Sequence, residues 1–524
     1  MLRIREIKIN INECTLDNIR KKCAKKLNVN ESKIKNIKIN KESIDARNKN
    51  NICYVYEVDI EIENESKYLN KSIDVMKVPD EKYRFNITGN TKLNERIVIV
   101  GAGPAGLLCA YILATNNYPV TLIERGEKVE DRIKSVEEFW NNDNLNINSN
   151  VQFGEGGAGT FSDGKLNTLV KDKLFRQKKV FEIFVECGAP KEIMYENKPH
   201  IGTDKLRIMV KNLRNKIIDH GGIIRYNTCL TDIKVNENKL EGIEVNNSEF
   251  IKTDVLVLAI GHSARDTFKM LYQHRINMTP KPFAVGIRIM HPQDMIDKSQ
   301  YGNSKLKKAS YKLTYQTKEK RGVYTFCMCP GGYVVNASSE KNRLAINGMS
   351  NYERESKNAN SAVIVTVTPS DFGEDPMDGI KFQRELEEKA YNLGNGKIPI
   401  QLYGDFKNNL KTNKLGDVEP IFKGNYTFSN LNDILPKYIS DSLKEGIDYF
   451  GKKIKGYDRN DAIIAAIESR TSSPVRIVRD DLLESNIKGI YPCGEGAGYA
   501  GGITSAAVDG IKIAEAIASF YSNK

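Results

Sequence analysis

Residues 96 to 125, RIVIVGAGPAGLLCAYILATNNYPVTLIER, constrain the fold more than any other part of the chain. A β-branched run, Ile97 to Val100, leads into a Gly-x-Gly-x-x-Gly turn at residues 101 to 106. An apolar helical segment and a second apolar run, Val120 to Ile123, follow it. A strand, a glycine turn, a helix and a strand in this order form a βαβ unit that binds dinucleotides. The stretch therefore predicts an α/β fold built on a Rossmann-like domain.

Each residue of the glycine turn has a physical role. Gly101 permits the tight turn, Gly103 lets backbone N–H groups approach a pyrophosphate, and Gly106 lets the helix pack closely on the strand. Pro104 suits the first helical turn, where a missing N–H costs nothing. The helix N-terminus then offers unpaired N–H groups and a partial positive charge to the phosphates.

Glu124 ends the second strand, 18 residues after Gly106. This is close to the roughly 20 residues expected for a carboxylate that binds both ribose hydroxyls. Because the carboxylate would repel a 2′-phosphate, the sequence disfavours NADP at this site. Two further Gly-x-Gly-x-x-Gly stretches, at residues 154–159 and 496–501, lack this full context, so alone they indicate only glycine-rich turns.

Length and composition bound the remaining possibilities. A chain of 524 residues is too long for one hydrophobic core, which predicts two or three domains. The net charge is +12, but the lysines are scattered, so a solvated surface is favoured over nucleic-acid binding. Nine cysteines without a Cys-x-x-Cys pair and a start without a signal-peptide core predict a cytoplasmic setting. Glycine, proline and asparagine interrupt the uncharged residues 97–123, so we predict no membrane partner.

Changes in the periodicity of apolar residues divide the chain into four segments. Residues 1–90 read as a small βαββ domain with its amphipathic helix at Leu16 to Leu27, and residues 95–275 as the first part of the Rossmann-like domain. Residues 276–450 are rich in strands and predict a mixed-sheet substrate domain, and residues 451–524 return to the Rossmann-like domain. The predicted Rossmann-like domain has three layers, with a parallel sheet and a β-meander.

The carboxy-terminal segment indicates which dinucleotide is bound. A late strand, Gly489 to Pro492, is followed by Gly494, Glu495 and then a helix. In flavoproteins of the glutathione-reductase type, a late strand ending in Gly-Asp holds the ribityl chain of FAD, and this segment resembles that arrangement with Glu495 in the acid's place. N–H groups near Gly502 and Ile503 would stabilise negative charge on a reduced flavin. The pattern favours FAD over nicotinamide as the resident cofactor.

Further contacts are expected from the glycine-dense loop 151–168, from the strand ending at Gly261, and from two arginines beyond the ribose acid. For those two arginines, Arg125 and Arg132, a surface salt bridge is the favoured alternative. The predicted cofactor contacts are Gly101, Gly103, Pro104, Ala105, Gly106, Glu124, Arg125, Arg132, Gly156, Gly157, Thr160, Gly261, Gly494, Glu495, Gly502 and Ile503.

Motifs along nearly the whole chain resemble the bacterial family of uncharacterised FAD-dependent dehydrogenases, within the glutathione-reductase-type flavoprotein superfamily. The resemblance implies FAD in an extended pose, and it brings no substrate, because the family has none assigned. The motifs are SIDAR (43–47), FGEGGAGTFSDGKLNT (153–168), KPHIGTDKLR (198–207), AIGHSARDTF (259–268), FCMCPGGYVVNASSE (326–340), NGMS (347–350), SRTSSPVR (469–476) and GEGAGYAGGI (494–503).

Three side chains are candidates for catalysis or substrate binding. His262 and Arg265 follow the buried strand that ends at Gly261, which places them near the cofactor, although hydrogen-bonded scaffolding is the favoured alternative. Arg470 lies in a polar cluster that suits an anionic or carbonyl substrate, and helix capping or turn formation would use the same residues.

Cysteine and histidine patterns add little chemistry. Cys327 and Cys329 share a strand face but lie too far apart for an easy disulfide, so two small buried side chains are favoured over a redox pair. The five histidines show no metal-ligand spacing with cysteine or carboxylate, so no metal site is predicted.

The favoured hypothesis is an FAD-dependent oxidoreductase that moves a hydride between a small-molecule substrate and flavin N5. Because no second strand–turn–helix–acid unit exists, NAD(P)H would bind only transiently as a reductant, or the substrate itself would be the reductant. One alternative is a flavin monooxygenase, suggested by GHSAR at 261–265. Another is a tRNA-binding or tRNA-modifying flavoprotein that docks through its basic segment RKKCAKK at 20–26. The sequence leaves the oligomeric state open.

Overall fold

The computed structural model describes residues 1–69, 72–168, 170–302 and 306–523. Its strands, in chain order, are β1 Leu2–Asn10, β2 Ile37–Asp45, β3 Cys53–Ile60, β4 Val75–Lys77, β5 Ile97–Val100, β6 Val120–Ile123, β7 Ile223–Arg225, β8 Leu230–Asn236, β9 Lys239–Val245, β10 Glu249–Lys252, β11 Leu256–Leu258, β12 Met278–Pro280, β13 Phe283–Pro292, β14 Thr314–Gln316, β15 Gly322–Cys329, β16 Tyr333–Asn336, β17 Ile346–Met349, β18 Asn358–Val367, β19 Ile398–Leu402, β20 Phe422–Lys423, β21 Tyr426–Phe428, β22 Ile463–Glu468, β23 Val475–Ile477 and β24 Ile490–Pro492.

The helices connect and cover these strands. They are α1 Leu16–Leu27, α2 Pro104–Thr115, α3 Val129–Asn142, α4 Arg176–Glu186, α5 Thr203–Asp219, α6 Arg265–Gln273, α7 Gln293–Tyr301, α8 Pro369–Phe372, α9 Asp378–Gly394, α10 Tyr403–Lys407, α11 Lys437–Gly451 and α12 Ile503–Phe520. In the described parts of the chain, no helix combines the length and apolarity needed to cross a membrane.

The amino-terminal residues form an antiparallel sheet in the order β2-β3-β1-β4, with α1 packed on it. The hydroxyl of Thr15 accepts the backbone N–H of Asn18 at the start of α1, and Asn28 ends the helix in the left-handed conformation with φ 55°. These two caps explain why the predicted bounds of α1 match the structure. Strand β4 is an addition to the predicted βαββ order.

A five-stranded parallel sheet, β24-β11-β5-β6-β7, forms the centre of the next domain. Ile97 and Ile99 of β5 face α2 and α12, whereas Val98 and Val100 face the antiparallel meander β8-β9-β10. Because both faces of the sheet are covered, its strands are apolar throughout. The three layers and the return of the chain in β24 confirm the predicted Rossmann-like architecture.

The strand-rich part of the chain builds a seven-stranded mixed sheet in the order β14-β15-β18-β13-β22-β19-β21. At its centre, β13 and β18 pair antiparallel along ten residues each. Strand β22 pairs with both β13 and β19, so it belongs to this sheet. Its position favours a domain boundary after Glu468 rather than at residue 450.

The chain crosses between these two domains in one place. Strand β12 leaves the Rossmann-like domain, β23 returns to it, and the two pair antiparallel as a short ribbon from Met278↔Ile477 to Pro280↔Val475. The mixed-sheet domain is therefore an insertion whose two ends lie side by side.

Candidate functional site

A cleft of about 1520 Å³, measured with its open mouth, lies where the Rossmann-like and mixed-sheet domains meet. The carboxyl ends of three parallel strands border it, at Val100, the last residue of β5, at Glu124 after β6 and at Ala259 after β11. In open parallel sheets this edge is the usual place for a ligand. The mixed-sheet domain contributes Asn347 of β17 and Glu468 at the end of β22.

The two glycine turns near the ends of this architecture converge on the cleft. Pro104 and Ala105 at the start of α2 line it, and so do Gly502 and Ile503 at the start of α12. The two helices lie so close that a Cβ on Gly510 of α12 would approach the carbonyl oxygen of Ala105 to 2.1 Å. Two helix N-termini with partial positive charge therefore face the same space.

The glycines of the cleft fall into two groups. Gly106 is needed for packing, because a Cβ there would lie 1.9 Å from the carbonyl oxygen of Gly101. Gly103 and Gly502 are different. A Cβ on Gly103 would find its nearest protein atom 3.9 Å away, and one on Gly502 would meet none within 4 Å. These glycines leave open space beside helix N-termini, which fits an extended phosphate-bearing molecule.

Glu124 is held rigidly at the rim of this space. One carboxylate oxygen accepts the N–H of Ala102 at 2.8 Å, and the other accepts those of Gly126 at 2.9 Å and Gly154 at 3.0 Å. Since a carboxylate has about four acceptor positions, three backbone bonds leave about one free. The structure therefore gives Glu124 capacity for one further hydroxyl rather than the two expected from its spacing.

Arg132 and Arg125 have different roles. Arg132 is fully buried, its guanidinium stacks on Phe161, and burial lowers its pKa to about 10. Arg132 does not line the cleft, so the predicted cofactor contact is wrong. The alternative of a surface salt bridge is also wrong, because the guanidinium donates to backbone carbonyl groups. These belong to Asn150, Val151, Gly154, Glu155 and Gly157. Arg125 does line the cleft, where it stacks on Phe153 and pairs with Asp266 at 2.8 Å.

The glycine-dense loop meets the cleft with one of its two predicted glycines. Gly157 lines the cleft, whereas Gly156 lies behind it and donates its N–H to the carbonyl of Ala102 at 2.7 Å. Thr160 is buried, and its carbonyl accepts the hydroxyl of Thr203 at 2.6 Å. Of the predicted contacts, those that do not line the cleft are Gly106, Arg132, Gly156, Thr160 and Gly494.

The two candidate catalytic arginines are bound to one carboxylate. Arg265 and Arg470 each form a bidentate ion pair with Glu387 of α9, with nitrogen-to-oxygen distances of 2.8–2.9 Å. All three side chains are buried. The two guanidinium groups hold the pKa of Glu387 far below its usual range. The cluster joins α6 of the Rossmann-like domain to α9 and the end of β22.

This ion-pair cluster changes the interpretation of both arginines. Arg265 does not line the cleft, and it also binds Glu340 and Gln383. Arg470 does line the cleft, but its remaining guanidinium nitrogen donates to the hydroxyls of Ser263 and Ser339. These contacts agree with the scaffolding alternative for Arg265, whereas Arg470 forms neither the helix cap nor the turn considered for it but a buried ion pair at the edge of the cleft.

His262 lines the cleft and places Nδ1 2.9 Å from the hydroxyl of Ser263. Burial, with Arg470 and Arg265 nearby, lowers its pKa to about 3 from an ordinary value of 6.5. The imidazole is therefore neutral near pH 7. It can exchange a hydrogen bond with a ligand but carries no charge.

This shift in pKa predicts a contribution to stability that depends on pH. His262 of the unfolded chain is protonated below about pH 6.5, whereas His262 of the native protein stays neutral down to about pH 3. Because the unfolded state binds this proton first, the free energy of unfolding falls as the pH drops through this range. Between pH 7 and pH 5, we expect the free energy of unfolding of His262→Gln to fall by about 1–2 kcal/mol less than that of the unmodified protein. Urea midpoints of both proteins at the two pH values measure the difference. Equal losses would contradict the prediction.

Sequence reasoning missed a second set of cleft residues. Glu468 lines the cleft, and buried Arg288 of β13 donates to its carboxylate at 2.8 and 3.2 Å. Arg288 also binds Asn347 and Asn360. A signal was present, because Arg288 interrupts the apolar strand FAVGIRIM and a buried charge requires a partner.

Lys165 and the two cysteines complete the far end of the cleft. The ammonium group of Lys165 lies 3.1 Å from Asp163, which Arg354 also holds at 2.7 Å, and it contacts the carbonyl of Met328. Cys327 is exposed and Cys329 buried, and both line the cleft because an irregularity in the pairing of β15 with β18 lies between Phe326 and Cys329. The burial predicted for both side chains is therefore correct for Cys329 and wrong for Cys327.

Several comparisons with known proteins match this arrangement. Residues 282–471 match the family model described as FAD-dependent protein, C-terminal domain-like. Residues 99–154 match the NAD(P)-binding Rossmann-like domain, and residues 1–61 match a domain of unknown function.

Solved structures resemble the chain only distantly. Glycine oxidase from Bacillus cereus ATCC 14579 aligns with 80% of this chain and 94% of its own, at 11% identity and a TM-score of 0.35. L-proline dehydrogenase from P. horikoshii aligns with 82% of this chain and 94% of its own, at 14% identity and a TM-score of 0.33.

A relative from Clostridium beijerinckii (strain ATCC 51743 / NCIMB 8052), described as an uncharacterized protein, is much more similar. The two sequences are 48% identical over 527 residues, and the match covers 98% of each chain. The chain therefore belongs to the same family as this relative, and its matched domains are those of an FAD-dependent protein with a Rossmann-like nucleotide-binding domain.

Proposed function

We propose that the protein transfers a hydride between a small anionic substrate and N5 of FAD. The observation that carries this proposal is the single cleft that joins both glycine turns to the side chains of Lys165, Asn347 and Glu468. When bound, FAD supplies the two-electron redox chemistry. The protein's own residues bind the two molecules, orient them and handle the proton.

The residues around the glycine turns fit the parts of FAD. The N-terminus of α2, with the open space at Gly103, suits the pyrophosphate. Glu124 offers its free acceptor position to a ribose hydroxyl. The N–H groups at Gly502 and Ile503, at the start of α12, would stabilise negative charge on the pyrimidine side of the flavin.

The far end of the cleft favours an anionic substrate. Lys165 and Arg354 share one carboxylate, Asp163, so this group of three side chains has a net positive charge. Lys165 is about a third exposed, which leaves its ammonium group accessible from the cleft. A carboxylate or phosphate on the substrate would bind there by a charge-assisted hydrogen bond.

Glu468 is placed to hold the proton that accompanies hydride transfer. Its carboxyl group faces the cleft, and Arg288 fixes its orientation from behind. Burial raises its pKa above the usual range despite that arginine. A carboxylate with a raised pKa is a better proton acceptor near neutral pH.

The first experiment is anaerobic reduction of the FAD-loaded protein by NADH, NADPH and a panel of metabolites, followed by loss of the flavin absorbance. We expect an anionic compound to reduce the flavin. In a parallel aerobic assay with the same compounds, hydroxylated product formed with oxygen consumption would instead favour a monooxygenase.

Lys165→Met tests the assignment of the anionic end. We expect it to raise the KM for the reducing anion about tenfold or more, because a charge-assisted hydrogen bond is lost. Bound FAD, measured by absorbance, stays at the level of the unmodified protein. The matched control is Lys455→Met, at an exposed lysine that does not line the cleft. An unchanged KM in Lys165→Met would remove the proposed substrate contact.

A further inference from the structure

A second cavity lies on another side of the boundary between the two large domains. Its volume, open mouth included, is about 1150 Å³, and α3 and α5 line it from the Rossmann-like domain. The mixed-sheet domain contributes Tyr333 of β16, Met349 of β17, and Phe422 and Lys423 of β20. Its lining residues are separate from those of the flavin cleft.

Two cations face this cavity without a carboxylate partner. Arg207 of α5 stacks its guanidinium on Phe161, 5.1 Å from the ring centre, and its buried Nε has no hydrogen-bond partner. Lys423 holds its ammonium group over the ring of Tyr333 at 5.1 Å. Across the described ranges, neither side chain makes an ion pair within 4 Å. Buried or half-buried cations are normally paired, so this arrangement calls for an anion.

The remaining lining residues support this requirement. The cavity contains one carboxylate, Glu137, against the two cations, and the amides of Asn141, Asn351 and Asn425 add polar groups. Glu137 and Asp204 both act on Arg207 only at longer range, and Asp204 does not line the cavity. The cavity therefore has a net positive charge, a polar lining and enough space for a small metabolite.

We propose that this second cavity binds a small anion whose phosphate or carboxylate group lies between Arg207 and Lys423. The site is distinct from the one that performs hydride transfer, and the inference does not rest on that function. Strand β17 connects the two places, because Asn347 and Gly348 line the flavin cleft while Met349 lines the second cavity. An occupant would thus contact the strand that also supports Arg288.

The chain carries a built-in reporter of this site. Trp140 is its one tryptophan, and it lines the second cavity with its indole N–H bonded to the carbonyl of Asn336 at 2.9 Å. We would titrate the full-length FAD-loaded protein with inorganic phosphate, AMP, succinate and neutral adenosine, at constant ionic strength, and follow tryptophan fluorescence. We expect a saturable change with at least one anion and none with adenosine.

The anions separate the two sources of negative charge. Saturation by phosphate and AMP but not succinate assigns a phosphate site, saturation by succinate alone assigns a carboxylate site, and saturation by all three assigns a site selective for charge. A saturable response to none of the anions would overturn the proposal.

Variants place the response at this cavity. Arg207→Met and Lys423→Met should each weaken binding about tenfold or more, whereas Lys455→Met should not. Lys165→Met should also leave the response unchanged, since that lysine lies in the other cleft. If Arg207→Met no longer binds FAD, or if its circular dichroism spectrum changes, the variant is misfolded and Lys423→Met alone tests the proposal. Lys423→Met should stay folded, because within the described part of the chain the ammonium group of Lys423 contacts only the ring of Tyr333. Unweakened binding in Lys423→Met would overturn the proposal.

Discussion

Gly103→Ala should weaken FAD binding strongly while the polypeptide stays folded. The backbone of Gly103 has φ −78°, which any residue adopts, and an added Cβ has its nearest protein atom 3.9 Å away. The methyl group would instead project into the space proposed for the pyrophosphate, where backbone N–H groups must approach the phosphates. We expect the Kd for FAD to rise about 100-fold or more, which corresponds to about 2.8 kcal/mol.

Gly106→Ala provides the matched comparison, because it adds the same methyl group three residues later. There the Cβ would meet the carbonyl oxygen of Gly101 at 1.9 Å, so the first turn of α2 must move and the free energy of unfolding should fall. Flavin absorbance after purification and urea unfolding distinguish the two variants. Full FAD occupancy in Gly103→Ala would refute the assignment of this turn to the pyrophosphate.

The second large effect is expected at the buried cluster of Arg265, Glu387 and Arg470. Glu387→Gln keeps the shape of the side chain but leaves two buried guanidinium groups without their shared counter-charge. We expect a loss of about 3–5 kcal/mol in the free energy of unfolding, as is typical when one partner of a buried ion pair is removed. Urea denaturation followed by circular dichroism and by release of FAD measures it.

A surface pair provides the control for that measurement. Lys437 and Asp441 form an ion pair one helical turn apart on α11, and both side chains are more than half exposed. Asp441→Asn should therefore change stability by no more than about 0.5 kcal/mol. If Glu387→Gln were as mild as Asp441→Asn, the cluster would not be holding the two domains together.

Local patterns account for the parts of the fold that the sequence predicts well. The bounds of α1 and the order of strand, turn, helix and strand around Gly101 follow from caps and periodicity, which are properties of neighbouring residues. The membership of β22 in the mixed sheet depends on pairing with β13 and β19, far away in the chain. No local pattern distinguishes a strand that ends one domain from a strand that begins the next.

The candidate site shows the same division between local and long-range information. The turn around Gly103 could be placed from sequence, because glycine spacing determines a local backbone shape. The roles of Arg132 and Arg265 could not, since each depends on distant partners: carbonyl groups of residues 150–157 for one and Glu387 for the other. A charged side chain in the sequence does not show whether it binds a ligand or the protein itself.

The ribbon of β12 and β23 has a consequence for how this architecture can diversify. The inserted domain begins and ends at residues that are neighbours in space, since Pro280 pairs with Val475. A recombination event at this junction could therefore replace the whole insertion without changing the strand order of the Rossmann-like domain. Any replacement domain must still supply a carboxylate at the position of Glu387, because Arg265 belongs to the Rossmann-like domain and would otherwise be a buried charge without a partner. The cleft residues that the insertion supplies, among them Asn347 and Glu468, would change together, whereas the glycine turns and Lys165 would stay with the host domain.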